Sequence, residues 1–155
     1  MPTRRPFDRI DVKLMNALID NPRETTIGLA HRTSLSRNTV QARLSRWEEL
    51  GVLRPLDRRI DPAALGYPLR AYVFTTVEQR QLDRVSAAMR GIPEVIAVEG
   101  LSGDDDLLIQ VVARDADDLY RIAGRILDLP GVQRTRTGLV MRELLDYRLS
   151  QLLTI

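Results

Sequence analysis

The sequence predicts an α+β chain of two domains, a helical N-terminal domain followed by a βαββαβ unit. Two observations predict this. Residues 27–44 have the pattern of a helix, a tight turn and a second helix, with apolar residues at helical spacing along one side. From residue 70 onward, β-rich and helical segments alternate in the order strand, helix, strand, strand, helix, strand. That order is typical of the ferredoxin-like split βαβ fold.

The N-terminal helix pair has signals at its turn and at both ends of its second helix. Ser36 is placed to cap that helix, and Gly51 is placed to end it in a left-handed conformation. A preceding helix is expected from about Asp11 to Ile19, and a short strand is expected through 52–60, which makes the domain a winged helix-turn-helix. The side chains expected to face inward are Leu14, Ala17, Leu18, Ile27, Ala30, Leu35, Val40, Leu44 and Trp47.

The outward face of the second helix is polar. With Val40 set toward the core and each residue turned by ~100°, Asn38, Ala42 and Ser45 point outward. Asn and Gln side chains can pair with adenine edges, and small residues allow close approach to a groove. This predicts a DNA-binding helix. The predicted DNA contacts are Ser36, Arg37, Asn38, Thr39, Gln41, Ala42, Arg43, Ser45 and Arg46, with the three arginines on the flanks facing phosphates.

The charge distribution favours the same function. Residues 1–65 contain 12 Lys or Arg against 8 Asp or Glu, a balance of +4, whereas the remainder has a balance of −2. A basic excess is what phosphate binding requires. Arg54, Arg58 and Arg59 follow the helix pair and are predicted to form a basic wing against the DNA backbone.

The remaining boundaries follow from Gly and Pro positions and from periodicity. The DNA-binding domain is predicted over 1–60, a hinge over 61–69 and the ferredoxin-like domain over 70–155. The tail from Arg142 is amphipathic and is expected to pack on a partner. The expected elements are strands at 70–77, 95–99, 106–113 and 132–141 and helices at 81–90 and 115–127.

Composition excludes several classes of protein. The chain has no cysteine, no apolar run near the ~20 residues of a membrane span, and no apolar segment within its first residues. A cytoplasmic protein without membrane contact, cofactor or metal is therefore expected.

Ordered motifs along the chain resemble the Lrp/AsnC family of transcription regulators. Residues 7–11 (FDRID) are similar to its opening LDxxD pattern. The remaining matches are LSxxxVxxRL at 35–44, WEELGV at 47–52, DPxxLG at 61–66, PEV at 93–95, SGDxD at 102–106, PGV at 130–132 and TxT at 135–137. The resemblance implies a regulator that binds double-stranded DNA, with a ferredoxin-like RAM domain that forms homodimers and assembles them into tetramers or octamers.

The resemblance also implies a small effector, usually an amino acid, bound between dimers at the loop formed here by Ser102, Gly103, Asp104 and Asp106. Gly103 lets a ligand approach the backbone, Ser102 and nearby N–H groups can hold a carboxylate, and Asp104 or Asp106 can pair with an ammonium group. Two residues depart from the family pattern. Ser34 replaces a glycine in the turn, and Asp105 stands where an aromatic residue is frequent.

Three alternatives stay open at this point. The chain can be a nucleoid-like DNA organiser without an effector. It can be an Lrp-like decarboxylase, although its one histidine, His31, lies in the helix pair and not in the C-terminal half. A Mg²⁺ site at Asp104–Asp106 is disfavoured, because adjacent acids in a turn rarely converge on one metal ion.

Overall fold

The computed structural model describes residues 7–153, which fall into two compact units. One contains the chain up to Arg58 together with the tail from Leu145, and the other contains Arg59–Leu144. Residues 1–6 and 154–155 lie outside the described part. The first of these segments is the one for which no signal peptide is predicted.

The first unit is a three-helix structure. Its helices are α1 (Arg9–Asp20), α2 (Thr26–Thr33) and α3 (Arg37–Glu49). Each begins at a polar side chain that accepts a hydrogen bond from the first turn, which satisfies an N–H group that has no partner within the helix. The caps are Asp8, Thr25 and Ser36. The core consists of Leu14, Ala17, Leu29, Val40 and Trp47, with Phe7, Met15, Leu18, Ala30, Leu35, Leu44 and Val52 packed around it.

Two expectations for this unit are wrong. Ile27 does not face inward but is 65% exposed, because α2 turns Leu29 and Thr33 toward the core instead. The strand expected through 52–60 is also absent, since the described chain between Val52 and Leu69 contains only irregular segments and two 3₁₀ turns, Leu56–Arg59 and Pro62–Leu65. Pro55 lacks a backbone N–H, and its carbonyl accepts the N–H of Arg58, which closes a turn where an extended strand was expected.

The second unit has the predicted βαββαβ order. Its elements are β1 (Leu69–Val77), α4 (Leu82–Ala88), β2 (Val95–Gly100), β3 (Leu107–Ala113), α5 (Ala116–Leu127) and β4 (Val132–Leu139). The sheet order is β2-β3-β1-β4 with every neighbouring pair antiparallel. Each boundary lies within about two residues of the prediction, apart from short 3₁₀ turns at both ends of α4.

Both helices of this unit cover one face of the sheet. Alternate residues of β1 and β3 are buried with apolar residues of α4 and α5, as period-two patterning requires. The residues in between, including Tyr72 and Phe74, lie on the other face, which no helix of this unit covers.

The tail beyond β4 has little regular structure within the described residues. A 3₁₀ turn spans Ser150–Leu152. Six of its large apolar side chains are exposed, and its packing on a partner stays a prediction. They are Met141, Leu144, Leu145, Tyr147, Leu149 and Leu152.

Candidate functional site

Helix α3 presents the polar face that the sequence predicts. The Ser36 hydroxyl accepts from the Thr39 N–H at 3.0 Å and lies 2.8 Å from the Thr39 hydroxyl. The helix ends at Glu49, and Gly51, two residues further on, has a φ of 59°, which places it in the left-handed region. Val40 and Trp47 are buried on one side of α3, so the opposite side faces solvent.

Most of the predicted DNA-contact residues share one exposed surface. Exposed are Ser36, Arg37, Asn38, Gln41, Ala42 and Arg46. Thr39 and Ser45 are half-buried, and the Gln41 amide lies 3.5 Å from the Ser45 hydroxyl. Neither Arg37 nor Arg46 pairs with a carboxylate within residues 7–153, so both guanidinium groups are available to phosphates.

Arg43 differs from this pattern. It was predicted to reach phosphate, but its guanidinium points into the unit and contacts Asp8 at 2.7 Å and Asp11 at 2.8 Å. Asp11 is 4% exposed and also accepts from the Trp47 indole N–H at 3.1 Å. Arg43 therefore holds α3 against α1 and is not free for phosphate in this structure, and we assign it as a positioning residue.

The start of α1 completes this network. The Asp8 side chain accepts from the Asp11 N–H, and the Asp11 side chain accepts from the Asp8 N–H, which forms a reciprocal capping box. The hydrogen bond from the Asp11 backbone, followed by that from Arg43, lowers the pKa of Asp8. Hydrogen bonds first to Asp8 and then to Asp11 raise the pKa of Arg43. Asp11 lies at helical spacing from Leu14 and Leu18, on the apolar side of α1. An acid in that position is the feature of the sequence from which this network could have been predicted.

The predicted wing residues Arg54, Arg58 and Arg59 are all exposed, but they lie on a loop and a 3₁₀ turn and not on a strand. They supply positive charge next to α3 in the chain, without the rigid geometry of a hairpin.

The predicted effector loop connects β2 and β3. Gly103 has φ 134°, a conformation that favours glycine, and Ser102, Gly103 and Asp104 are exposed. Asp106 has another role. Its carboxylate accepts from the Val77 N–H and from the Gln79 amide, both at 2.8 Å, and so ties the loop to the end of β1. Asp106 is therefore better assigned to holding the loop than to pairing with a ligand.

Asp105, which is not among the predicted effector contacts, is held by two arginines of β4. Its carboxylate lies 3.0 Å from Arg136 and 3.9 Å from Arg134. The Arg136 guanidinium also stands 4.4 Å above the centre of the Phe74 ring. Asp105 and Asp106 thus point to different partners, so the three adjacent acids do not converge on one point.

Residues 7–54 match the family model of winged helix-turn-helix DNA-binding domains, and residues 70–149 match that of the Lrp/AsnC ligand-binding domain. The chain belongs to the Lrp/AsnC family. It is a DNA-binding transcriptional regulator with a ligand-binding domain, and the α+β fold and family predicted from the sequence are confirmed.

Other members of the Lrp/AsnC family align along nearly the whole chain. The transcriptional regulator AldR of Mycolicibacterium smegmatis is 32% identical over 90% of this chain and 84% of its own length. The leucine-responsive regulatory protein of Haemophilus influenzae is 31% identical over 90% and 86%. Both are named as regulators, which favours a regulator over the decarboxylase alternative.

Solved structures of this family share the fold. The regulator NMB0573 of Neisseria meningitidis, crystallised with L-Met, superposes with a TM-score of 0.79 at 25% identity and covers 91% of this chain and 94% of its own. AsnC of E. coli superposes with a TM-score of 0.83 at 20% identity over 94% and 99%. None of the helices within residues 7–153 has the length and apolar character that a bilayer crossing requires.

Proposed function

We propose that this Lrp/AsnC regulator reads defined DNA sites with the outward face of α3. The observation that carries the proposal is the capped, exposed polar surface formed by Asn38, Gln41 and Ala42. The two amide side chains supply the paired donor and acceptor groups that adenine edges require in the major groove. Ala42, one turn beyond Asn38 on the same face, leaves room for the helix to approach the bases.

Arg37 and Arg46 contact phosphates on either side of this surface, with additional charge from Arg54, Arg58 and Arg59. All five side chains are exposed. Phosphate contacts set the position of the helix on DNA and make affinity depend on salt, whereas base contacts set sequence preference. Ser36, Thr39 and Ser45 support the surface by capping the helix and by holding Gln41.

The functional unit is a homodimer that places two α3 helices in successive major grooves, ~34 Å apart. Support comes from the sheet face that no helix of its unit covers, where Tyr72 is 38% exposed, and from the exposed apolar tail. Dimers assemble further into tetramers or octamers, around which DNA bends. The protein acts in the cytoplasm, where the chromosome is.

An amino acid bound at the loop of Ser102, Gly103 and Asp104 regulates assembly or DNA affinity. Gly103 brings the backbone close to the ligand, and the exposed Asp104 carboxylate pairs with its α-ammonium group. A thermal-shift screen of the twenty amino acids on the wild type and on Asp104→Ala tests this. Loss of every hit in the variant is expected, and hits that persist unchanged contradict the assignment.

Footprinting on genomic fragments tests the DNA-binding proposal. A local regulator protects one defined, palindromic site at moderate salt. Uniform protection along every fragment would instead identify a nucleoid-like organiser. Failure to bind duplex DNA at low ionic strength would overturn both.

A further inference from the structure

The outward side of α3 lacks the groups that usually read guanine and cytosine. Asn38, Ala42 and Ser45 follow one another along the side opposite the buried Val40, and none of them carries a charge. Guanine is read most often by arginine or lysine, and cytosine by a carboxylate. The glutamates at 48–49 lie in the last turn of α3, ~15 Å beyond Asn38 along the helix axis. The uncharged middle of this surface therefore suits A·T pairs.

The arginines of α3 lie away from this middle line. Arg43 is engaged by Asp8 at 2.7 Å and by Asp11 at 2.8 Å, so its guanidinium is not free for a guanine edge. Arg37 and Arg46 lie on the flanks of the surface, where the proposed function assigns them to phosphates. The middle of α3 therefore has no guanidinium that could pair with guanine.

Thr39 turns its hydroxyl toward the N-cap of the helix. Its Oγ1 lies 2.8 Å from the Oγ of Ser36, which also accepts the Thr39 N–H at 3.0 Å. A threonine side chain ends in one hydroxyl and one methyl group, so this contact leaves the methyl group for a base. Ala42 follows three residues later and is exposed. Residues at i and i+3 are neighbours on a helix, so the two methyl groups occupy neighbouring positions of the surface.

We infer that Thr39 and Ala42 recognise the methyl groups of thymine, so that each DNA half-site presents successive A·T pairs to α3. The inference rests on the proposed function, which places this helix in the major groove. The thymine methyl is the only methyl group that the four base pairs display there, and its burial against another methyl group removes apolar surface from water. The amides of Asn38 and Gln41 pair with the adenines of these or adjacent base pairs.

Replacing thymine by uracil tests the proposal on the DNA side. Uracil pairs with adenine as thymine does but lacks the C5-methyl group. A mobility-shift titration compares the full chain on the footprinted duplex and on the same duplex with uracil in place of thymine throughout both half-sites. We expect wild type to bind the uracil duplex at least about tenfold more weakly, since each buried methyl group contributes about a fourfold gain in affinity.

Two variants test the assignment on the protein side. Thr39→Ser keeps the hydroxyl that contacts Ser36 and removes only the methyl group, so its loss of affinity on uracil DNA should be at least about threefold smaller than that of wild type. Thr137→Ser removes the same group from β4, where Thr137 lies opposite the buried Val73 on the side of the sheet that the helices cover. Its loss should equal that of wild type. The comparison of the two duplexes with wild type needs no variant and is therefore independent of folding.

Several outcomes overturn the proposal. Equal binding of wild type to both duplexes contradicts methyl recognition and leaves sequence-specific binding in place. A loss on uracil DNA that is the same in Thr39→Ser as in wild type contradicts the role of Thr39. A footprinted site whose half-sites require G·C pairs opposite the middle of α3 contradicts the A·T class. If footprinting finds no defined site, the proposed reading of DNA sequence fails together with this inference.

Discussion

The guanidinium of Arg43 donates to the carboxylate of Asp11 at 2.8 Å, which joins the DNA-reading helix α3 to the first turn of α1 across 32 residues of sequence. Asp11 also accepts from the Trp47 indole one turn further along α3. One buried acid therefore fixes both the rotation and the tilt of α3. The orientation of the exposed amides depends on this contact, although neither residue belongs to the exposed surface of α3.

Asp11→Ala should lower the free energy of unfolding of the N-terminal unit by about 2–3 kcal/mol, because it leaves the Trp47 N–H without a partner and a partly buried arginine with one fewer. Asp20→Ala is the matched control, since Asp20 lies in the same helix and pairs with Arg32 in an exposed bridge. It should cost less than about 1 kcal/mol. Chemical denaturation followed by Trp47 fluorescence measures both, and equal costs would show that Asp11 has no special role.

Ser34 is the one non-glycine residue with a positive φ, 54°, among the described residues. Ser34→Gly removes the Cβ strain of the left-handed conformation, which is worth roughly 1–2 kcal/mol, but gains backbone entropy in the unfolded state worth roughly 0.5–1 kcal/mol. We expect a net stabilisation of up to about 1 kcal/mol. Ser34→Val should destabilise, since a branched Cβ fits this region worst. Melting temperatures in the order Val, Ser, Gly from low to high are expected, and any other order argues against strain at the turn.

Glu94 gives the second unit a dependence on pH. It is buried, and hydrogen bonding from Arg121 lowers its pKa, with further attraction from Arg125. Because the pKa is lower in the folded state, the stabilisation is complete above the unfolded pKa of about 4.3 and is lost as pH falls through the folded value. Glu94→Gln should cost about 1–3 kcal/mol at pH 7 and progressively less below pH 4.3. Thermal unfolding of both proteins from pH 7 to pH 3 checks this, and a gap that stays constant would refute it.

The order of elements was predictable because its signals are local. Ser36 and Gly51 mark the ends of α3 by their own backbone preferences, and alternating or helical burial within single segments gave the βαββαβ order. Ile27 was misplaced because it and Leu29 lie in one short apolar segment that fits two rotations of a helix. The strand through 52–60 was wrong because its apolar residues suit a strand, whereas Pro55 favours the turn that forms.

The roles of individual site residues were harder to predict, because they depend on distant partners. Arg43 looks like an exposed flank residue within its own helix, and only the fold brings Asp8 and Asp11 to it. Asp106 likewise fits a ligand-binding loop until the end of β1 is placed beside it. The pairing of Asp105 with Arg134 and Arg136 depends on the register of β4 against β1, which a single sequence does not reveal.

Sequence preference should depend on the amides and not on the arginines. A footprinted site should bind more tightly than scrambled DNA. Asn38→Ala or Gln41→Ala should reduce that difference in binding free energy by about 1–3 kcal/mol. Arg37→Ala or Arg46→Ala should weaken binding to both DNAs equally and lower the salt dependence by about one phosphate contact. Mobility shifts at several salt concentrations measure this, and an equal loss on both DNAs for all four variants would contradict the division.

A negative charge at the centre of the exposed surface of α3 tests directly whether this helix lies against the bases. Ala42 is exposed on α3, and Glu is a good helix former, so Ala42→Glu should fold normally. Ala87→Glu introduces the same change on an exposed position of α4. In a mobility-shift titration with duplex DNA at low ionic strength, we expect Ala42→Glu to lose affinity at least about tenfold and Ala87→Glu to match wild type. A folded Ala42→Glu protein that binds DNA as wild type does would contradict the claim that α3 lies against the bases.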